Sequence, residues 1–310
     1  MNGDFKHIPV LPQEVLKFLK PERGGRYIDC TLGGGGHSKM ILESSENVQL
    51  LGLDQDENAL KAATKRLSSF SNRFESKRMN FGDLASLKET DWDGVDGILM
   101  DIGVSSHQID EADRGFSYVH DGPLDMRMDN RQEETAADIL NSADERELTR
   151  IFREYGEERN ARRIAKRVVR ERETKQWEST GEFAELVKAV VGRSKTGKAP
   201  SPAKCFQALR IAVNRELEVL EDGLAAAFDM LKPGGRLVVI SFHSLEDRMV
   251  KEFFRDKALS CTCPPDFPVC VCDAKAELKV LTGKAVMASA AETEDNSRST
   301  CSKLRAAERI

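Results

Sequence analysis

The 310-residue chain has no apolar run that approaches the length of a membrane-spanning helix. Residues 1–20 also lack the charged and then apolar pattern of a secretory signal peptide. Its hydrophobic fraction of 40% and charged fraction of 32% are ordinary for a globular protein. From these features we expect a cytoplasmic protein with no membrane partner.

Cysteine is also scarce, at seven residues, and an odd number outside a secretory context argues against a disulfide framework. Four of the seven lie close together, as Cys261-Thr262-Cys263 and Cys270-Val271-Cys272. Four thiolates can bind zinc, but structural zinc sites usually space their cysteine pairs as C-x₂-C. We therefore predict a reduced apolar loop without a metal and keep a zinc site at Cys261, Cys263, Cys270 and Cys272 as the alternative.

An overall excess of positive charge is absent too, since the formal net charge is −5. The basic residues are nevertheless segregated. Residues 186–215 contain seven Lys or Arg and no Asp or Glu, and residues 151–175 contain nine Lys or Arg against five Glu. A basic stripe on an acidic protein is typical of a polyanion-binding surface, although a solvated helix face is the alternative. The predicted RNA-binding residues are Lys188, Arg193, Lys195, Lys198, Lys204 and Arg210.

Two phosphate-binding patterns are missing as well. The chain has no G-x-x-x-x-G-K-[ST] sequence, and G-x-G-x-x-G does not fit cleanly. Instead, an apolar strand-like segment ends at Asp29 and is followed by a run of four glycines and by His37. A second apolar segment ends at Asp54. The sequence separation between the glycine run and Asp54 is close to the one at which a carboxylate on the second strand binds ribose hydroxyls. We expect S-adenosylmethionine, which carries a ribose and positive charge but no phosphate, at Gly33, Gly34, Gly35, Gly36 and Asp54.

Short apolar segments alternate with helical ones and predict an α/β sheet. Further strands are expected at 95–100 and 235–240, and a terminal hairpin at 278–281 and 285–287. Residues 133–192 look helical throughout, with helices over 133–140, 144–155, 158–172 and 179–191 and with Thr180 as an N-cap. We therefore predict a sheet domain over 1–105 and 211–310 with an inserted helical domain over 106–210.

Polar side chains follow the expected strand ends, which meet at one edge of a parallel sheet. Asp101 would accept a hydrogen bond from a reacting amine and so favour its attack on an electrophilic methyl group. His243 would carry a proton or orient the substrate. An adenine ring would lie against Gly82-Asp83-Leu84, where an ordinary turn is the alternative.

Several longer motifs together resemble the RsmH (MraW) family of methyltransferases from end to end. They are His7–Leu11, Asp29–Ser38, Asp101–Ser106, Arg114–Ser117, Gly122–Asp129, Tyr155–Arg159, Phe206–Ile211, Ser241–Arg248 and Lys303–Arg309. The resemblance implies a class I (Rossmann-like) methyltransferase sheet with an inserted helical substrate domain. It also implies transfer of a methyl group from S-adenosylmethionine to the N4 amine of a cytidine in the decoding region of 16S rRNA.

The resemblance also suggests roles for individual residues. Its cofactor contacts fall at Gly35, Gly36, His37, Asp54, Asp101 and Gln108, and a contact that is usually phenylalanine falls at Leu84, or at Phe81 if the register slips. The motif [DNS]-P-P-[YFW] of many amino-methyltransferases is absent, and residues 101–104 stand in its place. We predict catalytic roles for Asp101, Ser105 and His243.

Two partners and two other functions stay open at this stage. The expected partner is 16S rRNA or the small ribosomal subunit, and a homodimer is not excluded. The first alternative function is methylation of the amine of another RNA or DNA base. The second is that of an RNA-binding ribosome-assembly factor with little turnover.

Overall fold

The computed structural model describes residues 9–192, 200–261, 263, 272 and 274–310, without the side chains of Ser106 and His107. Among the candidate site residues named above, Arg193, Lys195, Lys198 and Cys270 lie outside this part of the chain. The chain divides into two compact units. The first unit runs to Gly103 and resumes over Glu218–Ile310, and the second is Val104–Leu217. The expected insertion at 106–210 lies within the bounds of the second unit.

The first unit alternates strands and helices. Its strands are β1 (Gly25–Asp29), β2 (Val48–Asp54), β3 (Phe74–Arg78), β4 (Val95–Asp101), β5 (Leu231–Ser241), β6 (Leu278–Val280) and β7 (Lys303–Arg309). Its helices are α1 (Pro12–Leu19), α2 (Gly36–Glu43), α3 (Glu57–Arg66), most of α10 (Glu216–Met230), α11 (Ser244–Lys257) and α12 (Ala290–Asp295). Short 3₁₀ helices cover Pro21–Arg23, Ser68–Phe70, Phe81–Glu89 and Ser297–Cys301.

The seven strands form one sheet in the order β3-β2-β1-β4-β5-β7-β6. The pairs from β3 through β5 are parallel, and β7 is antiparallel to both β5 and β6. After β3 the chain returns to the centre of the sheet, where β4 lies beside β1. The strand order therefore reverses between β1 and β4, and such a switch point is where these sheets bind ligands. The expected class I (Rossmann-like) fold is confirmed.

Successive side chains of the central strands point to opposite faces of the sheet. Ile98 and Met100 pack with α10 and α11, whereas Leu99 between them packs with α1 and α2. Because both faces are covered by helices, the parallel strands read as continuous apolar runs rather than as alternating patterns. This is why the sequence revealed them so clearly.

The expected terminal hairpin is wrong. Residues 278–280 form β6, which pairs with β7, and Val286 makes an isolated bridge to Leu304 of the same strand. Both segments therefore pair with a strand further along the chain rather than with each other. Apolar runs separated by a short gap do not reveal such a distant partner.

The second unit is helical in its described part. Its helices are α4 (Ser106–Asp110), α5 (Ala136–Ser142), α6 (Glu145–Glu154), α7 (Ala161–Arg172), α8 (Thr180–Val191) and α9 (Ala203–Asn214), with a 3₁₀ turn at Ala112–Arg114. The four predicted helices of this region are confirmed, with shifted starts. Thr135 forms a capping box with Asp138, so α5 begins at Ala136 rather than at residue 133. The N-cap of α8 is Ser179 rather than Thr180.

The core of this unit is built around aromatic side chains. Phe183 is fully buried, and its ring centroid lies 5.6 Å from that of Phe206 and 6.0 Å from that of Phe152. The apolar sides of α6, α7, α8 and α9 converge on these rings. In the described residues of both units, no helix is long and apolar enough to cross a membrane.

Candidate active site at the carboxyl edge of the sheet

The glycine run forms a tight turn between β1 and α2. Gly33 and Gly35 have positive φ angles of +49° and +72°, a conformation that residues with a Cβ rarely adopt. At Gly36, an added Cβ would lie 3.4 Å from Pro9. The turn therefore brings bare backbone to the edge of the sheet, where a ligand could approach it closely.

Asp29, at the end of β1, fixes this turn from below. Its Oδ1 accepts the Thr31 N–H at 3.2 Å, and its Oδ2 accepts the Ser38 hydroxyl at 2.6 Å. Burial raises the pKa of Asp29 above its usual value, and the Ser38 hydrogen bond opposes this shift. The carboxyl group is only 1% exposed. Both oxygens of Asp29 therefore serve the turn.

Asp54, at the end of β2, also contacts the glycine turn. Its Oδ2 accepts the Gly33 N–H at 2.8 Å, and its Oδ1 accepts the Asp56 N–H at 2.9 Å. A carboxylate has about four acceptor positions, so roughly two are left for a ligand. Burial raises the pKa of Asp54 to about 6 against the lowering effect of these hydrogen bonds.

Asp101, at the end of β4, is the least satisfied carboxyl group of the three. Its backbone N–H donates to the Thr31 hydroxyl at 2.7 Å, which fixes β4 to the turn. Its buried Oδ1 has no hydrogen-bond partner among the described residues. Burial raises its pKa to about 6, the charge of His37 lowers it, and the charges of Asp29 and Glu246 raise it.

His37 contacts the second oxygen of this carboxyl group. Its Nε2 lies 2.8 Å from the Val10 carbonyl oxygen and therefore carries a proton. In the neutral ring Nδ1 would then be bare, and it lies 3.6 Å from Asp101 Oδ2. The contact is favourable only when one of the two groups holds an additional proton. His37 thus contacts Oδ2 of Asp101, whereas Oδ1 has no hydrogen-bond partner among the described residues.

His243, at the tip of β5, is the N-cap of α11. Its Nδ1 accepts the Glu246 N–H at 3.4 Å, and its Nε2 lies 3.0 Å from Glu246 Oε1. Glu246 in turn accepts the backbone N–H groups of Phe242 and His243. Glu246 and Asp247 both lie in the first turn of α11. Glu246 completes a buried capping box, whereas Asp247 pairs with Lys303 and Arg305 of β7.

Leu84 does not fit the expected contact with an adenine ring. Its side chain is fully buried among the core residues below the sheet edge, within a 3₁₀ helix. Phe81, the alternative, is partly exposed, and Asp83 is exposed. Leu84 therefore offers no surface to a ligand, and the contact is better assigned to Phe81.

Ser105 and Gln108 belong to the second unit and form a reciprocal pair around the start of α4. The Ser105 N–H donates to the Gln108 side-chain oxygen at 3.0 Å, and the Gln108 N–H donates to the Ser105 hydroxyl at 3.3 Å. This is the capping-box arrangement S-x-x-Q. The S-x-x-Q sequence at residues 105–108 is the signal that indicates this cap.

The first unit therefore gathers Asp54, Asp101 and the glycine turn at adjoining strand ends. Neighbouring carboxyl groups raise one another's pKa values there, as Asp29 does for both Asp54 and Asp101. Such a site favours a ligand that brings positive charge, because the charge offsets the desolvation of the carboxylates.

Comparison with known proteins assigns the chain to a family. The family model described as the MraW methylase family matches residues 4–310. The chain belongs to the MraW methylase family. The earlier resemblance is confirmed.

Two relatives of this MraW methylase are each called ribosomal RNA small subunit methyltransferase H. The protein from Carboxydothermus hydrogenoformans is 51% identical over 309 residues, which cover 99% of each chain. The protein from Symbiobacterium thermophilum is 53% identical over 305 residues, which cover 97% of this chain and 96% of that protein.

The predicted RNA-binding residues of this chain differ in side-chain exposure and in pairing with other groups of the protein. Lys188 pairs with Glu185, and Lys204 is exposed while it donates to the Glu157 carbonyl oxygen. Arg210 is only 16% exposed and makes a two-pronged contact with Glu216. This internal pairing disfavours Arg210 as a phosphate contact.

Helix α7 presents a stronger basic surface, which the sequence had ranked second. Its buried side is apolar, and its exposed side carries Arg162, Arg163, Lys166 and Arg170. Arg162 lies 3.8 Å from Glu145, but Lys166 and Arg170 have no ion pair within the described part of the chain. We call these four residues the α7 basic face.

We predict that Asp101→Asn makes the ligand-free protein more stable at pH 8, by about 1–3 kcal/mol. The folded pKa of about 6 exceeds the usual 3.8. Wild-type stability from this group is therefore fully present below pH 4 and lost as the pH rises through 6. The advantage of the variant should shrink toward zero near pH 4, as measured by chemical denaturation across this pH range.

Asp247→Asn is the matched control, because Arg305 and Lys303 oppose burial and lower the pKa of Asp247. This variant should lose stability at pH 8 instead. Equal pH profiles for wild type and Asp101→Asn would show that the Asp101 carboxylate carries no burial cost.

Proposed function

We propose that this MraW methylase transfers a methyl group from S-adenosylmethionine to the N4 amine of a cytidine in the decoding region of 16S rRNA. The observation that carries the proposal is the buried, unpartnered Oδ1 of Asp101 beside the glycine turn, in a chain that matches the family over residues 4–310. The relatives' names support ribosomal RNA as the substrate. The cytidine and its position come from the family resemblance of the sequence motifs.

The residues at the sheet edge suit S-adenosylmethionine. The turn at Gly33–Gly36 exposes backbone, and Asp54 has acceptor positions left for ribose hydroxyls. The ligand would supply a methyl group activated by the positive charge of its sulfonium. Phe81 and Asp83 would border the adenine.

The chemistry required of the protein is to present an amine and to accept its proton. The lone pair of an exocyclic cytosine amine is delocalised into the ring, so a hydrogen bond from this amine to a carboxylate increases its reactivity. The target base must leave its stack for the amine to reach the methyl carbon. On taking up the methyl group that S-adenosylmethionine would supply, the amine would have to lose one proton. Asp101, with a pKa of about 6, is the acceptor we assign.

The substrate is tested by single-turnover methyl transfer to naked 16S rRNA, to isolated small ribosomal subunits and to DNA. We expect transfer to a cytidine N4 in ribosomal RNA, located by mass spectrometry of nuclease fragments. Transfer to DNA or to another base would assign a different amino-methyltransferase. Tight RNA binding without transfer to any of the three would favour an assembly factor.

We predict that Asp54→Ala weakens S-adenosylmethionine binding by about 1.5–3 kcal/mol, because charge-assisted hydrogen bonds to the ribose are lost. Since the pKa of Asp54 is about 6, wild-type affinity should also fall as the pH drops from 7 to 5. Calorimetry measures both effects. Glu57→Gln, which alters an exposed acid of α3 paired with Lys61, is the control and should bind normally. Unchanged affinity of Asp54→Ala would contradict the ribose contact.

We predict that the α7 basic face contacts RNA phosphates. The triple variant Arg163→Ala, Lys166→Ala, Arg170→Ala should weaken RNA binding and flatten its salt dependence by about 0.7 slope units per lost contact on single strands. The variant Lys195→Ala, Lys198→Ala, Lys204→Ala tests the segment expected from the sequence. Lys39→Ala, Lys61→Ala, Lys65→Ala removes three positive charges from the first unit and serves as the control. If neither test variant changes the salt slope, the RNA path lies elsewhere.

We predict that Asp101→Asn slows single-turnover transfer about a hundredfold or more while S-adenosylmethionine affinity changes little. The binding of S-adenosylhomocysteine, which lacks the sulfonium charge, gives a matched reference for the affinity. If affinity and rate fall equally and the rate is restored at saturating cofactor, Asp101 is a binding residue.

In that case His243→Asn becomes the decisive variant, because Asn also caps helices well but cannot carry the proton. Ser105→Ala tests the remaining expected catalytic residue.

A further inference from the structure

Three cysteines converge between α11 and β6, away from the proposed chemistry. The Sγ atoms of Cys261, Cys263 and Cys272 all lie within 4.8 Å of one another. Those of Cys261 and Cys272 are 3.7 Å apart, and each residue is a thiol rather than half of a disulfide. The convergence joins the two C-x-C pairs that the sequence separates by six residues.

The sulfur spacing matches that of a tetrahedral zinc site. Two thiolates bound to Zn²⁺ at about 2.3 Å, at a tetrahedral angle, lie roughly 3.8 Å apart. The sequence argument against a metal was that C-x-C pairs strain such a site. Cys261 and Cys263 nevertheless direct their sulfurs to the same point, so the backbone accommodates the short spacing.

Apolar packing does not explain the cluster. Cysteines that serve as small apolar side chains are among the most buried residues of proteins. Here Cys261 is exposed and Cys263 and Cys272 are half-buried. No described residue between Phe254 and Leu278 belongs to the buried apolar core. Among the described residues, membership of the buried core therefore does not account for the convergence of these three cysteines.

The ends of this segment are fastened at its base. The Glu277 N–H donates to the Lys257 carbonyl oxygen at 2.9 Å, and the Lys257 ammonium group pairs with the Glu277 carboxylate at 2.9 Å. A metal bound further out would close the segment a second time. A structural zinc ion contributes binding free energy directly to the stability of the segment that it closes.

We propose that Cys261, Cys263 and Cys272 bind one Zn²⁺ as thiolates in a structural site that fixes the segment between α11 and β6. Binding releases the thiol protons, so the apparent affinity should rise with pH. Three thiolates leave one corner of the tetrahedron for a fourth ligand.

The test is the metal content of the full-length chain, purified under reducing conditions without chelators and measured by mass spectrometry. We expect about one zinc ion per chain. Cys261→Ser and Cys272→Ser should each reduce it to background, whereas Cys301→Ser, at an exposed cysteine of the same unit, should retain it. Zinc retained by both Cys261→Ser and Cys272→Ser would overturn the proposal.

A second measurement on the wild-type chain guards against variants that fail to fold. Zinc should be released in step with titration of the thiols by an organic mercurial. Co²⁺ should replace it with the intense thiolate charge-transfer bands of a tetrahedral sulfur site. A reduced wild-type chain that binds neither Zn²⁺ nor Co²⁺ would refute the site. Because the readouts are metal content and spectra, they are independent of the proposed methyl transfer.

Discussion

The burial of carboxyl groups at the carboxyl edge of one parallel sheet is the constraint on which the rest of the site depends. Asp29, Asp54 and Asp101 end three neighbouring strands, and desolvation raises the pKa of each. The protein offsets this cost unequally. Asp29 and Asp54 receive hydrogen bonds from the glycine turn and α2, whereas Asp101 receives only the nearby His37 ring. The poorly compensated carboxylate is therefore the one best suited to respond to an incoming ligand.

Much of the sheet was predictable because its strands are buried on both faces and read as apolar runs that end in acids. The terminal pairing was not, since the partner of β6 lies more than twenty residues further along the chain. Local sequence also could not distinguish a catalytic side chain from a helix cap. His243 and Ser105 look like catalytic groups in one dimension, and both act as helix caps in the structure.

The number of basic residues along the sequence was a poor predictor of the exposed positive charge of the second unit. A count along the sequence favoured residues 186–215, where no acid interrupts the basic residues. The fold brings Glu216 onto Arg210, however, and leaves the side chains of Lys166 and Arg170 exposed on α7. Sequence counts cannot register which positive charges are neutralised by distant acids. Three-dimensional pairing decides which cations remain available to a polyanion.

The position of β7 has a consequence for biosynthesis. This strand, residues 303–309, lies between β5 and β6 and supplies both with their hydrogen-bonding neighbour. While the chain is being made, one edge of β5 therefore stays unpaired until the last strand has left the ribosome. An exposed strand edge is a site of mispairing between nascent chains. The sheet is therefore complete only after β7 has been synthesised. A chain that terminates before β7 would expose the unpaired edge of β5.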